Sequence, residues 1–252
     1  NAEKLRPEDA PGLFDIINWL STQANMKYAP RLYYIPGRQM SAFSTGLNEK
    51  NAVIAISDGM LRSLNPRELT GVLAHEICHI HSNDLLVMQI ADVISRLTGI
   101  MAFIGYLLIW IYIPLYLLTE AHPPWALLLV LMLAPSLSAL MQLALSRTRE
   151  YSADEAAARL TGDPLGLASA LGKIERYQGN WIERLVIPHH RMQAPSMLRT
   201  HPLITDRIRH LREMAYKMQS SGHPFDSVNR QNWLQLPSSR LPRRRRFPRL
   251  WP

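Results

Sequence analysis

Leu73-Ala74-His75-Glu76-Ile77-Cys78-His79-Ile80 carries the pattern H-E-x-x-H. On a helix, residues four apart share a face, so the two imidazoles stand one turn apart with a carboxylate beside them. Two neutral imidazoles in that relation can hold one tetrahedral zinc. Glu76 can take a proton from an attacking water and later deliver it to a leaving amine. The pattern therefore puts metal, nucleophile and base in one place, which is the signature of a zinc peptidase.

The residues ahead of the motif predict the helix it needs. Asn65-Pro66-Arg67-Glu68 reads as an N-cap, a first-turn proline and a glutamate at the third helical position. Leu69, Val72, Leu73, Ile77 and Ile80 then follow at helical spacing. Further out, Leu97–Leu118 is a run of 22 residues without a charge and Pro123–Ser146 another of 24. As helices they measure about 33–36 Å, enough to cross a hydrocarbon core of about 30 Å. Only Thr119, Glu120, Ala121 and His122 separate them, so they are expected to form an antiparallel transmembrane hairpin with both flanks in one compartment. Pro114 and Pro135 each free a backbone carbonyl, which a span tolerates where neighbouring helices satisfy it. Every lysine and arginine lies outside the hairpin, with Arg96 before it and Arg147 and Arg149 after it, which predicts a cytoplasmic catalytic side.

Two histidines leave a catalytic zinc one protein ligand short. Glu150 opens E-Y-S-A-D just after the second span, where the hairpin returns the chain towards the motif helix. Asp154 lies at i+4 from it, placed to accept a hydrogen bond from the second nitrogen of a ligand imidazole. Among the rivals, His81 points away round the helix from His79, and His189 and His190 follow Pro188 in a loop expected to face solvent. His201 is a further histidine downstream, and Cys78 is read as a small packing residue.

The rest of the chain supplies a small fold around this site. Glu8 to Met26 carries Leu13, Ile16, Ile17 and Leu20 at helical spacing, with acidic residues at its start. Arg31–Pro36, Gln39–Thr45 and Ala52–Ser57 read as strands of a small antiparallel sheet. After Thr161-Gly162, where glycine suits a left-handed cap, Asp163-Pro164 restarts a helix to about Tyr177 with Leu165, Leu167, Leu171 and Ile174 inward. Another helix is expected over Ile204–Met218. The tail from Ser221, with the run Arg243–Arg246, has little to form a core and is expected to be solvated or in weak lipid contact. The chain opens on Asn1 without a signal-like segment and reads as a fragment or a processed form. The composition is ordinary for a globular protein, at 47% hydrophobic and 19% charged residues. One cysteine excludes an internal disulfide and agrees with a reducing compartment. A net charge of +8 and the arginine run come without a nucleic-acid reading motif, so no nucleic-acid partner is expected.

Four motifs in this order resemble the HtpX-type membrane metallopeptidases, relatives of the CAAX prenyl proteases. They are A-F-S-T-G-L-N at Ala42–Asn48, L-A-H-E-I-C-H-I at Leu73–Ile80, S-R-T-R-E-Y-S-A-D at Ser146–Asp154 and T-H-P-L-I-T-D-R at Thr200–Arg207. The resemblance implies His75, His79 and Glu150 as zinc ligands, Glu76 as general base and Asp154 as support. It also implies His201 facing the developing oxyanion and Arg207 bracing the carboxylates. The chain departs from the family pattern in lacking a pair of spans before the sheet and in its arginine-rich tail.

The expected fold is α+β, a mainly helical gluzincin-like metallopeptidase domain with a small antiparallel sheet and an inserted two-helix transmembrane hairpin. Residues 1–96 carry the first helix, the sheet and the motif helix, 97–146 the hairpin, 147–220 the second half of the catalytic domain and 221–252 the tail. The expected activity is that of an inner-membrane, multi-pass endopeptidase with one zinc per chain, acting on unfolded or membrane-protein segments in quality control. Its substrate would lie along an edge strand formed by Ala52, Val53, Ile54, Ala55, Ile56 and Ser57. A narrow-specificity processing protease of the CAAX prenyl type shares this site. A membrane scaffold with structural zinc is disfavoured, because closed structural sites use four protein ligands.

Overall fold

A computed structural model describes residues 2–46, 48–119, 123–185 and 204–220, with the side chains of 178–185 left aside. The described chain runs β1 (Glu3–Lys4), α1 (Pro11–Gln23), β2 (Arg31–Ile35), β3 (Ala42–Thr45), β4 (Val53–Ser57), α2 (Asp58–Ser63), α3 (Pro66–His81), α4 (Asp84–Leu118), α5 (Trp125–Thr161), α6 (Pro164–Leu185) and α7 (Ile204–Ser220). It divides into two compact units, one of residues 84–150 and one of the remainder, and the boundary falls inside α5.

Helix α3 starts where the sequence places it. The Asn65 side chain accepts from the Glu68 backbone N–H at 2.8 Å, and the Glu68 carboxylate accepts from the Asn65 N–H at 2.9 Å. This reciprocal cap satisfies two N–H groups that a helix start leaves without partners. Glu68 is buried, and its remaining valences are met from α6 by the Ser169 hydroxyl at 2.7 Å and the Lys173 ammonium at 2.6 Å. Beside this anchor the two helices touch backbone to backbone. A Cβ on Gly71 would lie 2.9 Å from the Leu167 amide nitrogen, so only glycine lets α3 approach α6 this closely.

The mainly helical α+β fold is as expected, but the sheet is mixed rather than antiparallel. Its order is β1-β2-β4-β3, with β2 and β4 parallel and the two outer pairings antiparallel. Strand β3 turns back on β4 as a hairpin does, whereas α1 precedes β2 and the β3 excursion separates β2 from β4, so those two can align in one direction. Val53–Ser57 is consequently an inner strand, buried from Ile54 onward, and the edge expected there belongs to β3 instead. Five consecutive apolar or small residues, A-V-I-A-I, suit a strand covered on both faces better than an edge.

Other boundaries shift for local reasons. Helix α1 begins only at Pro11, which occupies its first position, so Glu8 and Asp9 precede the helix. Leu167 and Leu171 face inward on α6 as expected, but Leu165 is largely exposed. Gly162 has φ +66° and ends α5, and the Asp163 carboxylate accepts from the Gly166 N–H at 3.0 Å to start α6. The core joins α1, the sheet, α3, the Ala153–Ala158 stretch of α5, α6 and α7 through Ile17, Leu20, Ile54, Ile56, Leu73, Ile77, Ala157, Leu167 and Leu211.

The unit of residues 84–150 contains most of α4 and α5, two helices of 35 and 37 residues whose apolar windows have mean hydropathy 2.1. Pro114 and Pro135 both lie within helix. The expected second span and the expected third-ligand helix are one unbroken α5.

Candidate metal centre

His75 and His79 lie in the last two turns of α3, with ring centroids 4.5 Å apart and planes nearly perpendicular. Their Nε2 atoms are 3.1 Å apart. Two nitrogens bound tetrahedrally to one zinc are about 3.3 Å apart, so this separation fits a shared ion. The nitrogen on the other side of His75 settles its tautomer. Nδ1 is 3.0 Å from Asp154 Oδ1, and a carboxylate there takes the Nδ1 proton as a hydrogen bond and leaves the Nε2 lone pair free for a cation.

Glu150 completes a donor set. It sits one turn before Asp154 on α5, and one ligand atom from each of His75, His79 and Glu150 can be chosen with all within 4.8 Å of one another. The donors fit a divalent metal of intermediate softness, and three protein donors among the described residues are the number a catalytic zinc centre commonly uses. Glu76 follows His75 on α3 and is half-buried.

Asp154 is fully buried, and its environment decides its charge. Burial pushes its carboxyl up, but the hydrogen bond to His75 and the Arg207 guanidinium outweigh this and hold it below the usual carboxylate range. Arg207 comes from α7 and meets both oxygens, Nε to Oδ2 at 2.7 Å and Nη2 to Oδ1 at 2.6 Å. That bidentate fork fixes the plane of the carboxylate as well as its charge. The same Nη2 lies 3.5 Å from His75 Nε2, so Arg207 reaches from the supporting carboxylate to the edge of the centre.

His201, expected at the oxyanion, lies outside the described residues, as do His189, His190 and the Arg243–Arg246 run. His81 stands apart from the centre and meets Glu49 at 3.4 Å on the surface, and Cys78 is buried in the core. Sequence reasoning passed over Tyr151 and His210, whose rings meet edge to face at 5.7 Å. The signal was available in spacing, since Tyr151 adjoins Glu150 and His210 is three residues beyond Arg207 on α7.

Comparison with known proteins agrees with this geometry. The model of Peptidase family M48 matches residues 7–215. A protease HtpX homolog of Acaryochloris marina is 39% identical over 230 residues, covering 86% of this chain and 77% of its own. One from Pyrococcus furiosus is 38% identical over 231 residues, covering 86% and 78%. Among solved structures, S. mikatae Ste24p shares the fold with a TM-score of 0.51 at 22% identity, over 84% of this chain, which spans about half the length of that protein. With a family match over most of its length, two helices apolar enough to cross a bilayer and a His-His-Glu centre, the chain belongs to peptidase family M48 and is a membrane metallopeptidase.

Proposed function

We propose that the chain is a zinc-dependent endopeptidase of the cell membrane, with one zinc per chain, which cuts unfolded polypeptides and membrane-protein segments as a quality-control enzyme. The observation that carries this reading is the convergence of His75, His79 and Glu150, with Glu76 adjoining His75 on α3. Zinc, when bound, supplies Lewis-acid polarisation of a carbonyl and makes water acidic near neutral pH. Glu76 takes the proton from the attacking water and returns it to the leaving amine. Asp154 holds the Nδ1 proton of His75 and so orients the ring, and Arg207 keeps Asp154 ionised in its buried site. His201 donates to the oxygen on which charge develops.

Strand β3 is an edge strand of the sheet among the described residues, it packs near α3, and Phe43 on it is exposed. An extended peptide pairing with β3 gains main-chain hydrogen bonds that a folded segment cannot offer, which favours unfolded substrates. The hairpin of residues 97–146 crosses the inner membrane and the catalytic halves on either side of it face the cytoplasm, in keeping with the lysines and arginines outside it.

Glu76→Gln tests the assignment. Removing the base alone is expected to lower casein cleavage about 10²- to 10⁴-fold while zinc content and melting temperature stay at wild-type values. Casein cleavage retained by the purified variant would refute the role of Glu76, and purified wild-type protein without stoichiometric zinc would refute the metal. Cleavage confined to prenylated peptides would favour the narrow processing enzyme instead.

A further inference from the structure

Three buried carboxylates, Asp154, Glu68 and Asp84, each meet an arginine or a lysine among the described residues. Asp154–Arg207 belongs to the metal centre and Glu68–Lys173 anchors the start of α3. The third, Asp84–Arg149, has no role in what has been described. Arg149 Nη2 lies 2.6 Å from Asp84 Oδ1, with side-chain exposures of 19% and 10%. The one-turn pairs Arg62–Asp58, Arg96–Asp92 and Arg159–Glu155 are instead open to solvent on the arginine side, at 60–78%. Stability alone does not account for a buried pair, since an apolar replacement of similar volume is often neutral or better. The best-attested use of such a pair is to specify register.

The two residues stand where register matters. Asp84 is the first residue of α4 and follows α3 after two residues, Ser82 and Asn83, the latter at φ +53°. It is therefore tied closely through the chain to the helix that carries His79. Arg149 immediately precedes Glu150 on α5. Ahead of Arg149, α5 is a long Leu- and Ala-rich stretch in which sliding or turning against α4 exchanges one apolar contact for another. Each one-residue slip turns the helix by about 100°, which would carry the Glu150 carboxylate off the centre.

We propose that Asp84 and Arg149 form a clamp at the base of the hairpin that fixes the rotation of α5 and thereby positions Glu150, so that metal affinity depends on this ion pair. Neither is a catalytic residue; both act through Glu150. The proposal rests on the reading of Glu150 as a metal ligand.

The test uses the full chain in detergent. Zinc affinity is measured by competition with a chromophoric chelator, and amide hydrogen exchange is followed over residues 147–152. Asp84→Asn and Arg149→Gln are expected to bind zinc about 10- to 100-fold more weakly, the loss usual for groups that support a ligand, and to exchange faster over that stretch. Ser95→Ala, which touches only the hairpin body, should leave zinc affinity unchanged and shows that general loosening of the hairpin does not produce the effect. Glu150→Gln is the reference. If it binds zinc as tightly as wild type, Glu150 is no ligand and the reading of the centre fails. If it binds weakly while Asp84→Asn binds normally, the clamp alone is overturned. Should Asp84→Asn not fold, Arg149→Lys, which keeps the charge but loses the planar fork, decides the matter. Weaker zinc binding at an unchanged melting temperature supports the clamp, and unchanged binding overturns it.

Discussion

The unit built around α3 and the unit of residues 84–150 use apolar side chains in opposite ways. In the first, Ile17, Leu20, Ile54, Ile56, Leu73, Ile77 and Leu211 are almost wholly buried among one another. In the second, most large side chains point outward, with Trp110 82% and Leu118 83% exposed, while Leu128 and Leu131 and small residues such as Ala102 and Gly105 are buried. A Cβ on Gly105 would meet Leu131 Cβ at 2.9 Å, so α4 and α5 pack closely at small residues. Water drives the first arrangement. Lipid tails are as apolar as leucine and offer no such drive, so helices in a bilayer associate through close small-residue packing and polar contacts. Polar groups divide less sharply, with the buried ion pairs Asp154–Arg207 and Glu68–Lys173 in the first unit, and in the second the pair Asp84–Arg149 at its end and neutral hydroxyl and amide contacts between Ser95, Ser138 and Gln142.

The largest effect that distinguishes the two comes from Asp154. Asp154→Ala strands the Arg207 guanidinium, which is almost wholly buried, without its carboxylate and releases the His75 ring. Breaking a buried pair by removing one partner costs about 3–5 kcal/mol. Denaturation in detergent should therefore show a loss of that size in the α3 unit, with zinc affinity falling as well, while helicity of the hairpin remains. A variant that melts like wild type would mean that the first unit is not held by its buried charges, and the contrast between the units would lose its polar half.

A smaller and pH-dependent effect belongs to Glu68. Burial raises its carboxyl, but the bonds from Lys173, the Asn65 N–H and Ser169 more than offset this, and its pKa lies below the ordinary value. A lowered folded-state pKa contributes stability that is fully present above the unfolded value of about 4.3 and is lost as pH falls through the folded one. In Lys173→Met the largest lowering influence is gone, so the folded pKa rises towards the unfolded value and less stability rides on the ionisation of Glu68. Melting followed from pH 6 down to about pH 3 should show the variant losing less stability than wild type across the window below about 4.3, the other titrations being common to both. Parallel curves would show that Lys173 does not set the charge of Glu68.

How much of this was legible in the sequence follows from how local each signal is. The cap at Asn65, the first-turn Pro66 and the left-handed Gly162 depend on neighbours within one turn, and the structure has them as read; the i, i+4 spacings His75–His79 and Glu150–Asp154 are equally local. The charge-free runs were equally plain, because length and composition alone define a span candidate. Sheet order was not legible. Whether Val53–Ser57 lies inside or at the edge depends on where β2 and β3 dock, and its short apolar run allows either reading. The unbroken α5 was hidden because a composition boundary at Ser146–Arg147 looks like an element boundary, although a helix can pass from an apolar to a polar setting without interruption. The Asp84–Arg149 contact was invisible, since nothing local links residues at opposite ends of a hairpin.

The smallest effect tests the hairpin itself. Ser95 on α4 meets Ser138 Oγ and Gln142 Oε1 on α5, each at 3.1 Å. An amide oxygen can only accept, so the Ser95 proton goes to Gln142 and the Ser138 hydroxyl donates to Ser95, making a short chain of two bonds between the helices. In a bilayer such inter-helix bonds contribute about 0.6 kcal/mol on average, with larger values rare. Ser95→Ala should accordingly weaken hairpin stability by about that amount. A double-mutant cycle with Gln142→Leu should give a coupling of similar size, because each change removes the same bond. Measurement in lipid bilayers of the full chain would show it as faster exchange or easier proteolysis of α4 and α5 with no change in zinc affinity. Zero coupling in that cycle would mean that these side chains do not join the two helices, whose described contacts would then be the Asp84–Arg149 pair and the close packing of Gly105 on Leu131.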